Sequence, residues 1–289
     1  VNLLLTPKAW VRRHLLGPVL GLPSPLEGRR VLVTGASSGV GEATARAVAA
    51  RGAVVLLVAR RPEELERVRA GIEEAGGTAH AYVCDLTDAT ATDALVRTVL
   101  AEHGAVDMLV NNAGRSIRRS LEYSYDRMHD FERTMAINYF GPVRLTLGLL
   151  PAMRAQRFGH VVNVLTWGVQ IKAPRFSAYI ASKTALDTFS RIAGRETYAD
   201  NVTFTNVRLS LVRTDMIVAT DAYDRSPAKS PDQAAALIVR ALEDRPLTIS
   251  TTVGSVAEVL NVVAPRFMDA LAATASRRFP DSAAARGEG

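Results

Sequence analysis

Cysteine is nearly missing from the chain. Cys84 is the single one in 289 residues, which excludes an internal disulfide framework and fits a reducing, cytoplasmic setting. No stretch approaches the ~20 apolar residues that a membrane-spanning helix requires. Aromatic residues make up only 6% of the chain. No basic run is interleaved with aromatics that could stack on bases, so nucleic acid is not an expected partner. The five histidines, at 14, 80, 103, 129 and 160, show no ligand spacing and no CxxC occurs, so no metal is expected. Internal repeats, low-complexity tracts and interdomain linkers are missing too.

What is present describes a folding chain. Apolar residues amount to 48%, and the length suits one large α/β domain with a well-buried core. The net charge of +6 comes with arginines at 12, 13, 29, 30, 60, 61, 115, 118 and 119. Without a nucleic-acid pattern, this basicity points to phosphorylated cofactors or CoA thioesters. The first segment, VNLLLTPKAWVRRHLLGPVLGLPSPLEG, lacks a small-residue cleavage site and is broken by Pro7, Pro18, Pro23 and Pro25. It reads as an arm packed on the domain or on a neighbouring subunit; the alternative is a short amphipathic segment resting on a membrane surface.

From residue 29 onward, apolar strand-like runs alternate with helical stretches. The strand candidates are 30–35, 53–59, 79–84, 107–112, 160–166, 202–209 and 247–252, with helices starting near 40, 62, 90, 126, 176 and 231. Strands that are apolar throughout and separated by helices imply a parallel sheet covered on both faces. The expected fold is a doubly wound, seven-stranded parallel sheet of Rossmann type. Its boundaries are an arm over 1–28, a catalytic domain over 29–252 and a helical extension over 253–289. That extension should hold one or two helices split at Pro265, ending in the loose DSAAARGEG.

The first strand runs into TGASSGVG, with Gly35, Gly39 and Gly41, and then into a helix-like run. A glycine-rich turn between strand and helix lets the backbone approach a pyrophosphate, with helix-end N–H groups facing it. The second strand then selects the cofactor. An acidic residue at its end would hydrogen-bond the ribose 2′-OH of NAD, but Ala59 stands there, followed by Arg60 and Arg61. Arginine matches a 2′-phosphate through charge-assisted contacts, and Ser37 adds a hydroxyl, so NADP(H) is the expected cofactor.

In the run AYIASKTALDTFSRIA the apolar positions repeat at helical spacing. Tyr179 and Lys183, four apart, then lie on one helix face. A cation beside a phenol lowers its pKa from about 10 toward working pH. Such a pair can act as general acid toward a carbonyl or as general base toward an alcohol. A pair of this spacing is also common among unremarkable surface neighbours, so it gains meaning only from the rest of the chain.

Taken together, TGASSGVG, CDLTD (84–88), NNAG (111–114), Asn138 in TMAINYFG, HVVNVLTWG, YIASK and VRTDM (212–216) resemble the short-chain dehydrogenase/reductase family over roughly residues 29–252. The resemblance implies cofactor contacts from Gly35, Ser37, Ser38, Gly39, Val40, Gly41, Arg60 and Arg61. It places Asp85 and Leu86 at the adenine, and Asn112, Ala113 and Gly114 on the adenine-ribose side. Tyr179 and Lys183 would meet the nicotinamide ribose, and Val212 and Thr214 the nicotinamide amide. It also implies a catalytic set of Asn138, Thr166, Tyr179 and Lys183. A carbonyl accepts hydride from NADPH while Tyr179 protonates its oxygen, Thr166 helps to hold that oxygen, and Asn138 completes a water relay to Lys183.

Two departures from the family pattern stand out. Leu165-Thr166 replaces a serine pair, and Leu209-Ser210 stands where a Pro-Gly pair is frequent. Threonine keeps the hydroxyl but adds a methyl that restricts χ1. The segments NNAGRSIRRSLEYSYDRMHDFERTMAINYFG and RFPDSAAARG further resemble an actinobacterial subgroup of fatty acyl-CoA or long-chain aldehyde reductases.

The expected substrate is therefore a small carbonyl or alcohol compound, lipid-like in its longer forms. Arg115, Arg118 and Arg119 either meet its phosphorylated or CoA-bearing part or form a solvated basic turn. The segment 216–230 reads as a substrate lid. A homodimer or homotetramer built through the long helices is implied by the family, with peripheral membrane contact through the arm as a further expectation. Two other classes stay open: a catalytically weak dinucleotide-binding scaffold, and a membrane-peripheral assembly subunit.

Overall fold

The computed structural model describes residues 23–214, 227–277 and 281. The arm up to residue 22, residues 216–226 of the expected lid and most of the loose tail lie outside the described residues.

Seven strands form one parallel sheet. They are β1 (Arg30–Thr34), β2 (Val54–Ala59), β3 (Thr78–Val83), β4 (Met108–Asn111), β5 (Gly159–Thr166), β6 (Val202–Leu209) and β7 (Thr248–Ile249), in the order β3-β2-β1-β4-β5-β6-β7. The helices are α1 (Gly39–Ala49), α2 (Pro62–Glu74), α3 (Ala89–His103), α4 (Met128–Met135), α5 (Gly141–Ala155), α6 (Gly168–Ile171), α7 (Ser177–Glu196), α8 (Pro231–Asp244), α9 (Thr252–Val263) and α10 (Pro265–Arg277). This is the doubly wound Rossmann arrangement expected above. Winding runs outward from β1 to β3 and then reverses at β4, so β1 and β4 are neighbours. A ligand crevice opens at such a switch point, beyond the carboxyl ends of the strands.

The strands between the two edges are largely apolar because both of their faces are buried, whereas edge strand β3 is mostly exposed and more polar. In β1 and β2, Val31, Val33, Val55 and Leu57 pack into one cluster, and Leu32, Leu56 and Val58 into another. Alternate residues point to opposite faces of the sheet. Each such side chain stabilises the fold by about 1.5–3 kcal/mol. Truncating one, as in Leu109→Ala, costs about 2–5 kcal/mol, because a cavity is left as well.

A polar line crosses this apolar interior. Asn111, Asn163 and Asn206 occupy the same register on β4, β5 and β6. Asn111 donates to Asn163 (2.9 Å) and Asn163 to Asn206 (3.2 Å). Asn206 accepts from Ser190 (2.9 Å) and donates to Asp187 (2.8 Å). Both partners belong to α7, so the ladder ties that helix to the centre of the sheet.

Two local differences from the sequence expectation have physical causes. The last strand is confined to Thr248–Ile249 because the Thr251 hydroxyl accepts from the Gly254 N–H (3.0 Å) and caps α9. Capping outweighs the strand propensity of the threonine run. Between α4 and α5, Ala136–Phe140 forms a π-helical turn, in which the Gly141 N–H reaches back five residues to Ala136. Pro142 has no N–H to offer the Asn138 carbonyl four residues before it, and the helix widens where that bond is missing.

Candidate active site

The glycine turn is shaped by close approach. Gly35 (φ 64°) and Gly39 (φ 56°) take left-handed backbone angles that carry no Cβ penalty at glycine. A Cβ at Gly41 would lie 2.0 Å from the Gly35 carbonyl oxygen, and one at Gly35 would lie 3.0 Å from the Ala113 Cα. The turn therefore nests against the end of β4. The Thr34 hydroxyl accepts from the N–H groups of Asn112 (2.9 Å) and Ala113 (3.0 Å), and the Asn112 side chain donates to the Thr34 carbonyl (2.9 Å). Thr34 and Asn112 thus lock the two loops together. The first turn of α1 carries Glu42, whose carboxyl is held below its usual range chiefly by the Arg67 guanidinium, with Arg46 adding to it.

The end of β2 faces the same cleft. Arg61 reaches the hydroxyls of Ser38 (3.3 Å) and Ser37 (3.5 Å). The exposed Arg60 lies 3.8 Å from the half-buried Asp85 carboxylate. Asp85 mainly accepts from the N–H and hydroxyl of Thr87 (2.9 and 2.8 Å). Burial pushes its carboxyl upward, but Thr87 and Arg60 outweigh this and hold it low.

At the other end of the cleft, α7 presents Tyr179 and Lys183. Lys183 is buried, donates to the Val164 carbonyl (2.9 Å), and its pKa is pushed down to about 8 by burial. Thr166 ends β5 beside them, and its Oγ1 accepts from the Gly168 N–H (3.1 Å). A hydroxyl that accepts from the backbone keeps its own proton to donate. Ser182 does not offer a competing donor, because it donates to the Tyr179 carbonyl (2.7 Å) and accepts from Asn138 (3.0 Å). The Asn138 side chain is fully buried. Its amide donates to the Arg115 carbonyl (2.8 Å) and its oxygen accepts from the Arg115 N–H (2.9 Å). Gly114 lies against both this oxygen and Lys183: a Cβ there would fall 2.8 and 3.2 Å from them.

The cleft joining these groups encloses about 1590 Å³ and is lined by Gly35, Ser37, Ser38, Gly39, Val40, Arg60, Arg61, Leu86, Asn112, Ala113 and Gly114, with Thr166, Tyr179, Lys183, Val212 and Thr214. Three expected residues do not line it. Gly41 acts through packing, Asp85 turns to Thr87, and Asn138 lies behind Gly114. Arg115 and Arg118 line the cleft, whereas Arg119 is largely buried, 3.8 Å from Asp130, and so is no solvated turn. Of the lid segment, Pro227 lines the cleft and Lys229 bridges to Val212. Residues that sequence reasoning passed over include Arg67, 3.4 Å from the Ser37 carbonyl. This contact joins α2 to the glycine turn across 30 positions and leaves no spacing to find. Among the described residues, no group of three or more His, Cys, Asp or Glu could hold a metal. None of the described helices is long and apolar enough to cross a membrane.

A doubly wound sheet with a glycine-turn cleft at its switch point and a tyrosine–lysine pair at the cleft's far end defines a dinucleotide-dependent oxidoreductase. The short chain dehydrogenase family model matches residues 29–224, and the chain belongs to that family. An uncharacterized oxidoreductase of Mycobacterium tuberculosis is 50% identical over 280 residues, covering 95% of this chain and 82% of the relative. A fatty acyl-CoA reductase of Acinetobacter baylyi is 48% identical over 263 residues, covering 91% and 89%. A metagenomic short-chain oxidoreductase solved in complex with NADP is 30% identical and superposes with a TM-score of 0.67, covering 78% of this chain and 97% of its own.

Proposed function

We propose that this protein is an NADPH-dependent reductase of carbonyl substrates, among them long-chain aldehydes, acyl-CoA or ketoacyl thioesters. The observation that carries the reading is the convergence of Thr166, Tyr179 and Lys183 on the cleft that the glycine turn opens. The residues fit an NADP cofactor. Gly35 and Gly39, both left-handed, and the close-packed Gly41 make a tight turn into the N-terminus of α1, and Arg61 with Ser37 and Ser38 offers three donors that a 2′-phosphate could use. The reduced cofactor supplies hydride.

The chain's own groups handle the proton. Tyr179 donates to the carbonyl oxygen as negative charge grows there, and Thr166 gives it a second hydrogen bond. Lys183, as a cation behind the phenol, makes that proton easier to release. The Asn138 side chain spends both amide protons on Arg115 and Ser182. A relay from Lys183 would therefore pass through the Asn138 main-chain carbonyl, which Pro142 leaves without an α-helical donor. Support for the lipid-like substrate comes from the fatty acyl-CoA reductase relative and from Arg115 and Arg118 on the cleft wall.

A homo-oligomer is part of the same reading. Exposed Leu147 and Ile192 line a groove of about 570 Å³ between α5 and α7, a face suited to a second copy. A cytoplasmic setting agrees with the buried free thiol of Cys84.

The test is NADPH oxidation across aldehydes, acyl-CoAs and β-ketoacyl thioesters, run beside Tyr179→Phe. At least one carbonyl should be turned over, and the variant should lose at least ~10²-fold in kcat. Tight NADPH binding without turnover of any carbonyl would favour the scaffold reading.

A further inference from the structure

We propose that the C-terminal strap, made of α9, α10 and Asp281, is a supporting wall of the substrate site, and that Asp281 and Glu258 are positioning residues that set which chain length the cleft accepts. The inference rests on the reductase reading above. Two residues in the loop between α6 and α7 take an unusual backbone. Lys172 (φ 52°) and Arg175 (φ 71°) are both left-handed without being glycine. Such backbone is costly and persists where its surroundings over-determine it. The same stretch turns Ile171, Ala173 and Phe176 toward the cleft, immediately before the helix of Tyr179.

The strap supplies what holds this loop. The Arg175 guanidinium pairs with Asp281 (3.0 Å) and donates to the Ser276 carbonyl (2.7 Å). The two side chains of the ion pair are only 17% and 5% exposed. The second oxygen of Asp281 accepts from the Ser120 N–H (3.1 Å). The Arg175 carbonyl accepts from the Arg119 N–H (2.7 Å). One carboxylate thus joins the loop before α7 to the loop after β4, which lines the facing wall with Arg115, Ser116 and Arg118.

A second attachment lies on α6, two residues beyond Thr166. Gln170 is fully buried and donates to Glu258 (2.8 Å), which also receives Arg208 (3.0 Å). The Asn261 amide donates to the Gln170 carbonyl (2.9 Å). Packing at this point leaves no slack: a Cβ at Gly254 would lie 2.4 Å from the Gln170 side-chain oxygen. Glu258, Asn261, Ser276 and Asp281 do not line the cleft. They act on substrate only through α6 and the loop that follows it.

The experiment uses the full chain with Asp281→Asn, Glu258→Ala and Glu258→Gln. Steady-state kinetics with hexanal and with dodecanal are measured beside NADPH affinity and Tm. Asp281→Asn and Glu258→Ala should raise KM for dodecanal by roughly 10- to 10²-fold, the scale of a small misplacement transmitted to a binding wall. KM for hexanal and NADPH affinity should stay near wild type, and Glu258→Gln, which still accepts from Gln170, should restore most of the loss. Trp167, which lines the cleft ahead of α6, gives a readout independent of turnover. In a Trp10→Phe background its acrylamide quenching should rise in both disruptive variants. An unchanged ratio of KM values with unchanged quenching would overturn the proposal, as would equal losses for both aldehydes and NADPH. A wild-type chain that reduces no carbonyl would defeat the reductase reading, while the quenching would still decide whether the strap orders the wall.

Discussion

Thr166 is the residue on which this site departs most from its family's pattern. Its hydroxyl accepts from the Gly168 N–H, which orients Oγ1 and leaves the proton available toward the cleft. Thr166→Val keeps the branched shape and removes the donor, so kcat should fall about 10²–10³-fold, the usual cost of one oxyanion donor. Thr166→Ser should retain or raise activity. An active valine variant would make the threonine structural, and Ser182 could not replace it because Asn138 and the Tyr179 carbonyl already occupy its hydroxyl.

Lys183 adds a pH dependence. Burial lowers its pKa to about 8, so above that pH the free site holds a neutral amine. A cofactor bearing several phosphates binds better beside a cation, so NADPH affinity should weaken as pH rises through about 8. Titrating Kd by cofactor fluorescence would show this, and Lys183→Met should flatten the profile. Arg61 reaches Ser37 and Ser38 whereas Arg60 faces Asp85, so Arg61 is proposed as the phosphate donor. Arg61→Ala should weaken NADPH about ten- to hundredfold, from the roughly 1.5–3 kcal/mol of a charge-assisted bond, and leave NADH nearly unchanged. Equal losses for both cofactors would remove Arg61 from that role.

At the scale of elements, the glycine turn shows what a sequence can carry. TGASSGVG announces a turn between strand and helix, and the structure gives the reason for its third glycine: the Gly35 carbonyl fills the space of a Gly41 side chain. Gly41→Ala forces backbone to move, so it should lose NADPH binding and lower Tm together, as calorimetry with and without cofactor would show. Retained affinity would mean that the turn yields without cost.

The inner strands were legible because burial on both faces makes them largely apolar along their length, as in β1 and β2. The polar ladder was not, since Asn111, Asn163 and Asn206 become neighbours only once β4, β5 and β6 are in register. The π turn left a trace, Pro142 four residues after Asn138, but its consequence depends on the helix continuing through it. Tyr179 and Lys183 could be placed together because four residues are one helical turn. The clamp of Asp281 on Arg175 spans 106 positions and has no local pattern. Contacts within one element follow from spacing; those between elements follow from the fold.

For the molecule as a whole, the buried ionisable groups share one direction in acid. His160, on β5, is buried among the Thr203 and Thr205 hydroxyls and the Ala241 carbonyl. Burial lowers its pKa from 6.5 to about 3. The unfolded chain therefore binds a proton there between pH 6.5 and about 3 that the native state refuses, and stability falls as pH drops through that window. Asp107 adds a later loss: burial would raise its carboxyl, but Arg30 and Arg29 outweigh burial and hold it below 3.8. Lys183 works at the alkaline end, where its lowered pKa makes stability rise between about 8 and 10.5. Thermal unfolding should thus show Tm decreasing from pH 6.5 to 4.5, before most carboxylates titrate. His160→Gln, which cannot take up that proton, should flatten this part of the profile whatever its effect on Tm at neutral pH. An equal slope in the variant would assign the early acid loss to the surface carboxylates instead, and His160 would then be only a packed partner of Thr203 and Thr205.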